Sequence, residues 1–160
     1  MAIVLLRVDD RLVHGQVVEG WIPHLKADLV AVVSDAAADD AIQAALMKMA
    51  LPAAVGLLTL KTADAPAALA AGPAAARRIL VLVPGPAEAL AMIENGVSVD
   101  RVNVGGLHYT AGKVQLGRAI FLDEKDKAAL RAIAARGVRL EGRPLPSDPE
   151  EDLRAVLEAR

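Results

Sequence analysis

Short, contiguous apolar runs alternate with amphipathic segments along this chain. The runs at about 2–8, 27–33, 55–60, 78–83 and 99–104 are strand-sized, and the first is apolar on both faces, as a central parallel strand is. A sixth, shorter strand is expected over 138–141. Between them, helices are expected over about 15–24, 36–49, 66–70, 86–94 and 123–136, with a last, charged helix over about 150–158. Local signals set their ends. Ser34 and Asp35 are good N-cap residues, Thr62 or Asp64 suits the cap of the short helix, and Asp123 starts the amphipathic one. Pro52 breaks the second helix, Pro86 suits the first turn of another, and Asn95-Gly96 and Gly137 fit C-terminal ends. Ile42, Leu46 and Met49 lie at helical spacing and are expected in the core, as are Leu130 and Ile133. Residues 105–113 read as a glycine-rich loop, 114–122 as short extended pieces, and 71–73 and 144–149 as turns. Strands that alternate with helices make an α/β chain with a mostly parallel sheet. No repeat divides the sequence, and one domain over residues 1–160 is expected.

Composition narrows the class. The chain is 54% hydrophobic with a mean hydropathy of +0.38, yet no apolar run approaches the roughly 18–20 residues of a membrane span. The first apolar run is only about five residues and acidic residues follow it, which is not the layout of a signal peptide. A cytoplasmic chain is expected. The absence of cysteine excludes disulfides, thiolate metal sites and cysteine nucleophiles. A net charge of −2, no basic cluster and 2% aromatics argue against a nucleic-acid surface. The three histidines, His14, His24 and His108, are too far apart for a local metal-ligand motif, and no metal or cofactor is expected.

Chemistry is concentrated in Arg7-Val8-Asp9-Asp10-Arg11-Leu12-Val13-His14-Gly15-Gln16-Val17. This stretch joins the first strand to the first helix, the place where open α/β sheets put their ligand sites. A neutral imidazole is available near pH 7 as a nucleophile for a phosphoryl group. Arg7 and Arg11 would hold the incoming charge, Arg7 the weaker clamp because it still lies in the strand. Asp9 and Asp10 would orient the arginines or the imidazole. Gly15 allows close backbone approach, and the N–H groups of Gly15 and Gln16 would cradle oxygens. Spacing alone leaves two other readings open, a structural histidine and ordinary surface ion pairs. Asn103 to Tyr109 follows the fifth strand at the same sheet end. It either shapes the pocket or merely turns, with His108 as a wall residue. Lys61 and Thr62, after the third strand, are further candidates by strand-end position, and His24 reads as structural.

The same stretch resembles the signature of the IIB domains of the bacterial sugar phosphotransferase system, in the mannose/fructose/sorbose family. The likeness extends to Trp21, Val33-Ser34-Asp35 and Asn103-Val104-Gly105-Gly106, and covers roughly residues 1–158. It implies an open, mostly parallel sheet with helices on both faces, and His14 as the phosphorylated residue. It further implies a phosphoryl group received from a phosphohistidine on a separate IIA protein and passed to a sugar bound by the membrane components IIC and IID, with no metal. Ser34-Asp35 departs from the Asn-Asp frequent in the family. Two other functions remain open: a regulatory module whose His14 phosphorylation is only a signal, and a histidine-nucleophile phosphatase. The phosphatase fits less well, because such enzymes typically show Arg-His-Gly where this chain has Val13 before His14. No Walker-type loop is present, since Gly105-Gly106 lacks the Gly-Lys-Ser/Thr ending.

Overall fold

A computed structural model describes residues 3–159. Seven strands form one sheet: β1 (Ile3–Asp9), β2 (Leu29–Val33), β3 (Gly56–Leu60), β4 (Ile79–Val83), β5 (Arg101–Gly106), β8 (Arg139–Gly142) and β9 (Glu151–Asp152). Their order is β3-β2-β4-β1-β5-β8-β9, and every neighbouring pair is parallel except β8–β9. A separate hairpin pairs β6 (Val114–Gly117) with β7 (Ile120–Leu122). The helices are α1 (Ile22–Leu25), α2 (Asp35–Ala38), α3 (Ala41–Ala50), α4 (Ala65–Ala70), α5 (Pro86–Glu94), α6 (Glu124–Ala135) and α7 (Leu153–Glu158). A π-helical turn, Gln16–Trp21, leads into α1. None of the described helices is long and apolar enough to cross a membrane.

Because side chains alternate across a strand, each central strand feeds two cores. Leu6, Val8, Val81, Val83 and Val104 face one side, where Leu69, Met92, Leu130, Ile133 and Leu157 of α4 to α7 cover them. Leu5, Val30, Val32, Leu80 and Leu82 face the other, under Val17, Trp21, Leu25 and Met47. The expected sheet, with helices on both faces, is therefore present, with strand ends shifted by a residue or two. Arg7 shares the parity of Leu5, so it points beneath Trp21.

Four expectations need correction. The segment 36–49 is two helices: the Asp40 carboxylate accepts from the N–H groups of Ile42 and Gln43 and starts a new one. Within it Ile42, Leu46 and Met49 are 75%, 62% and 81% exposed, while Met47 is buried. The helical period was legible but its phase was not: the inner stripe is Gln43, Ala44 and Met47, a polar and a small residue beside one methionine, and carries little apolar contrast. Gly105 and Gly106 belong to β5, not to a loop. Finally, the segment expected to open as a helix at Glu150 first pairs with β8 as a two-residue strand.

The connection from β1 leads over β4 to β2, while the one from β5 leads to the hairpin and on to β8 on the other side. The carboxyl ends of β1 and β5 thus flank a topological switch point, the place where such sheets open a crevice.

The helix phases have opposite consequences for stability. Ile133→Ala should cost about 2–5 kcal/mol, as for truncation in a filled core. Leu46→Ala should change stability by no more than about 0.5 kcal/mol. Chemical denaturation of both variants measures the difference.

Candidate functional site

The loop after β1 is held tightly. Leu12 N–H donates to the Asp9 carbonyl, and Leu12 itself has φ 60°, a left-handed conformation uncommon for a branched residue. Its side chain is buried, which offsets the cost of that conformation. The N–H groups of Val17 and Val18 both donate to the His14 carbonyl, so those of Gly15 and Gln16 precede the first bonded turn. Irregular π-helical turns of this kind are frequent next to functional sites.

The centre of the site is the Asp9 carboxylate, which has no solvent exposure. Its Oδ2 lies 2.7 Å from His14 Nε2 and accepts from Arg7 Nη2 at 3.0 Å. Its Oδ1 accepts from the Arg11 backbone N–H at 3.1 Å and more weakly from Arg11 Nε at 3.4 Å. Burial pushes this carboxyl up, but the hydrogen bond from His14 and the charge of Arg7 outweigh burial, and it sits below the ordinary aspartate range. With Nε2 engaged, His14 Nδ1 has no protein partner among the described residues, and the side chain is 15% exposed. The buried carboxylate thereby engages one ring nitrogen and leaves the other without a protein partner.

Arg7, expected as a weaker phosphate clamp, is placed otherwise. It is fully buried, and Nη1 donates to Asn103 Oδ1 at 2.6 Å and the Arg143 carbonyl at 3.0 Å. Nη2 donates to Asp9 and to the Pro144 carbonyl at 3.0 Å, while Nε is buried without a partner. The guanidinium also lies 5.2 Å from the Trp21 ring centre. Both terminal nitrogens are spent on protein, so Arg7 anchors Asp9 and cannot reach a ligand. A Cβ on Gly105 would fall inside this guanidinium, which explains the glycine there.

Arg11 is the arginine at the surface. It is 38% exposed, and Nη2 donates to Gln16 Oε1 at 2.9 Å. Asp10 turns away from His14: it accepts from the His108 backbone N–H at 2.8 Å and lies 2.5 Å from His108 Nδ1. Arg11, Gln16, Gly106, His108, Tyr109 and Phe121 line a cleft of about 460 Å³ at the switch point. Lys61 and Thr62 are elsewhere. They follow β3 at the far sheet edge, three strands from β1 and so roughly 14 Å away. His24 stands edge-on to Trp21. Among the described residues no group of three or more acidic or histidine side chains is arranged for a metal ion.

Asn103, expected only as part of a pocket wall or turn, is a support of Arg7, as are two carbonyls with no sequence signal. Asn103 also donates to Glu141 Oε1 at 3.1 Å, and burial, with the Glu150 side chain beside it, raises the Glu141 carboxyl. The Arg143 and Pro144 carbonyls come from more than 130 positions away. No local pattern signals such partners, although the Pro-rich turn at 144–149 is the rigid segment that presents them.

Residues 3–160 match the family model for the PTS system sorbose subfamily IIB component. The sorbose-specific EIIB component of Lacticaseibacillus casei is 34% identical over 161 residues, covering 99% of this chain and 96% of that protein. The mannose-specific EIIAB component of Escherichia coli strain K12 is 35% identical over 150 residues, 94% of this chain. The chain spans about half of that protein's length, 46%. The crystal structure of the IIBSor domain of the sorbose permease from Klebsiella pneumoniae superposes with a TM-score of 0.93 at 30% identity, covering 99% of this chain and 98% of that one.

The buried carboxylate carries a pH signature. Asp9 binds its proton less readily folded than unfolded, so its stabilisation is complete above about pH 4, the ordinary aspartate value, and is lost as pH falls through the lower folded value. Asp9→Asn should be less stable near neutrality by about 3–5 kcal/mol, since Arg7 loses its partner. It should also lose less stability on acidification than the parent does. Denaturation curves from about pH 7 to pH 2 check both, and an unchanged acid slope in the variant refutes the assignment.

Proposed function

Because the chain belongs to the sorbose-subfamily IIB components of the bacterial phosphotransferase system, we propose that it is a phosphocarrier. In this reading His14 accepts a phosphoryl group from a phosphohistidine on a IIA protein. It then passes the group to a sugar delivered by the IIC and IID membrane components. The observation that carries the reading is the pairing of His14 Nε2 with the buried Asp9 carboxylate, which leaves Nδ1 without a protein partner while Arg11 is bound to the same carboxylate.

Each residue has a role in the transfer. Asp9 accepts a hydrogen bond from Nε2–H, so the lone pair resides on Nδ1 and attacks phosphorus in line with the donor nitrogen. As the N–P bond forms, the imidazole becomes cationic, and Asp9 stabilises that charge without reorganising. Arg11 has N–H groups left over from Asp9 and Gln16 and turns them to the phosphoryl oxygens as a planar fork. The N–H groups of Gly15 and Gln16 supply further donors at the start of the turn. In the outgoing step the N–P electron pair returns to Nδ1 and the same tautomer is regenerated.

Incubation with phosphoenolpyruvate, the general phosphotransferase proteins and a cognate IIA should place one acid-labile phosphate on the chain, attached through Nδ1. His14→Ala should abolish it. Label that persists in this variant refutes the site, and an Nε2-linked phosphate, read by nuclear magnetic resonance, refutes the role of Asp9. Arg11→Lys should fold normally and accept phosphate about tenfold to a hundredfold more slowly, because a single ammonium replaces a multidentate donor. Stopped-flow or rapid-quench transfer rates measure it.

A further inference from the structure

His108 is the second histidine held by an aspartate at this end of the sheet. Asp9 and Asp10 are consecutive, and they hold their histidines through opposite ring nitrogens: Asp9 binds His14 at Nε2, and Asp10 binds His108 at Nδ1. The His108 backbone N–H bonds the same Asp10 carboxylate through its other oxygen, so ring and main chain are fixed together. With Asp10 as acceptor, the Nδ1 of His108 carries the proton and the lone pair sits on Nε2. That nitrogen has no protein partner among the described residues, and the side chain is 62% exposed at the cleft that it shares with Arg11 and Gln16.

We propose that His108 is the base that receives the proton of the acceptor hydroxyl when the phosphoryl group leaves His14. This rests on the phosphocarrier reading above. The step balances as follows. The hydroxyl oxygen forms the O–P bond, and the N–P bond of His14 breaks with its electron pair returning to Nδ1. The hydroxyl proton passes to His108 Nε2, and the resulting imidazolium is stabilised by Asp10. His14 cannot take that proton during transfer, because Nδ1 is bonded to phosphorus and Nε2 already carries a proton held by Asp9. The other charged or titratable groups at the cleft are Arg11, a permanent cation, and Tyr109, a phenol that is a poor base at neutral pH. Ala119 and Phe121 close the side toward the hairpin and do not titrate. The cleft chemistry suits a neutral carbohydrate: Arg11, Gln16 and His108 offer hydrogen bonds, and Tyr109 packs edge-on to Phe121 at 5.8 Å between ring centres, presenting an exposed aromatic surface.

The test separates a base from a mere strap between the β5 loop and β1. His108→Asn keeps a donor at the Nδ1 position for Asp10 and removes the Nε2 lone pair. Chain phosphorylated on His14 is mixed with vesicles carrying IIC and IID and with mannose, fructose or sorbose. Transfer is followed across the interval of about pH 5 to 8 in which histidine changes charge. The parent should slow toward acid pH. The variant should transfer to sugar about tenfold or more slowly at the alkaline end, the low side for a general base because phosphoryl transfer asks little proton movement. Its rate should also lose the acid-side fall. A parental rate and pH profile in the variant overturns the proposal. So does an equal slowing of phosphate acceptance from IIA and of transfer to sugar, which is the signature of a structural strap. A parent chain that takes no phosphate from IIA overturns the phosphocarrier reading itself, and the role of His108 with it.

Discussion

A carboxylate without solvent exposure is expensive unless every lone pair is answered, and the site is arranged around meeting that requirement for Asp9. Four donors converge on it, from Arg7, His14 and both the main chain and side chain of Arg11. The first of these is itself a buried charge with needs of its own. Arg7 recruits Asn103 from β5 and two carbonyls from the segment after β8. Two strands, β1 and β5, and the loops after β1 and β8 are thereby tied to one anion. Gly105 must lack a side chain for Arg7 to pass, and Trp21 roofs the guanidinium from the first helical segment. The glycine and the only tryptophan are consequences of placing one aspartate behind one histidine.

The two arginines divide the work that residue type alone would assign to both. Arg7 is fixed, fully hydrogen-bonded at its terminal nitrogens and shielded, so it neutralises Asp9 in a low-dielectric setting where a stray charge would be costly. Arg11 is half out in solvent, tethered at two points, with donors to spare. The loop that carries Arg11 is held in its path by Leu12, whose side chain plugs the core while its backbone takes the left-handed turn. Packing thus supplies the energy that holds a conformation the local sequence would not choose.

The fold was legible because it is written in contiguous apolar runs whose burial on both faces leaves little ambiguity. The dense β1 loop was equally legible as chemistry, since Asp9, Arg11 and His14 lie within six positions of one another and one short loop necessarily gathers them. What was not legible is direction. Its place in the strand marked Arg7 as the weaker clamp, but nothing local showed that it points inward while Arg11 points out. The difference comes from strand parity and from Asn103, Arg143 and Pro144, which only the closed sheet brings near. Phase failed in the same way for Ile42, Leu46 and Met49: an alanine-rich helix carries too little contrast to say which stripe faces the sheet. Asp10 was read as an orienter of the first-loop residues, yet strand alternation turns it to the opposite side, toward His108.

A phosphocarrier must accept and release the same group, so its histidine cannot be stabilised too strongly in the phosphorylated form. In the proposed cycle, the charge of the imidazole is met by a fully buried, pre-paired carboxylate, which favours the bonded state without competing for solvent. The phosphoryl oxygens are met by an exposed guanidinium, whose attraction is screened by water and salt. Firm hold on the ring and a loose hold on the phosphate set a compromise suited to relay. If the phosphate were held instead by a buried arginine of the Arg7 kind, its release would require exposing an unpaired charge, and the group would be stored on His14 and not passed on.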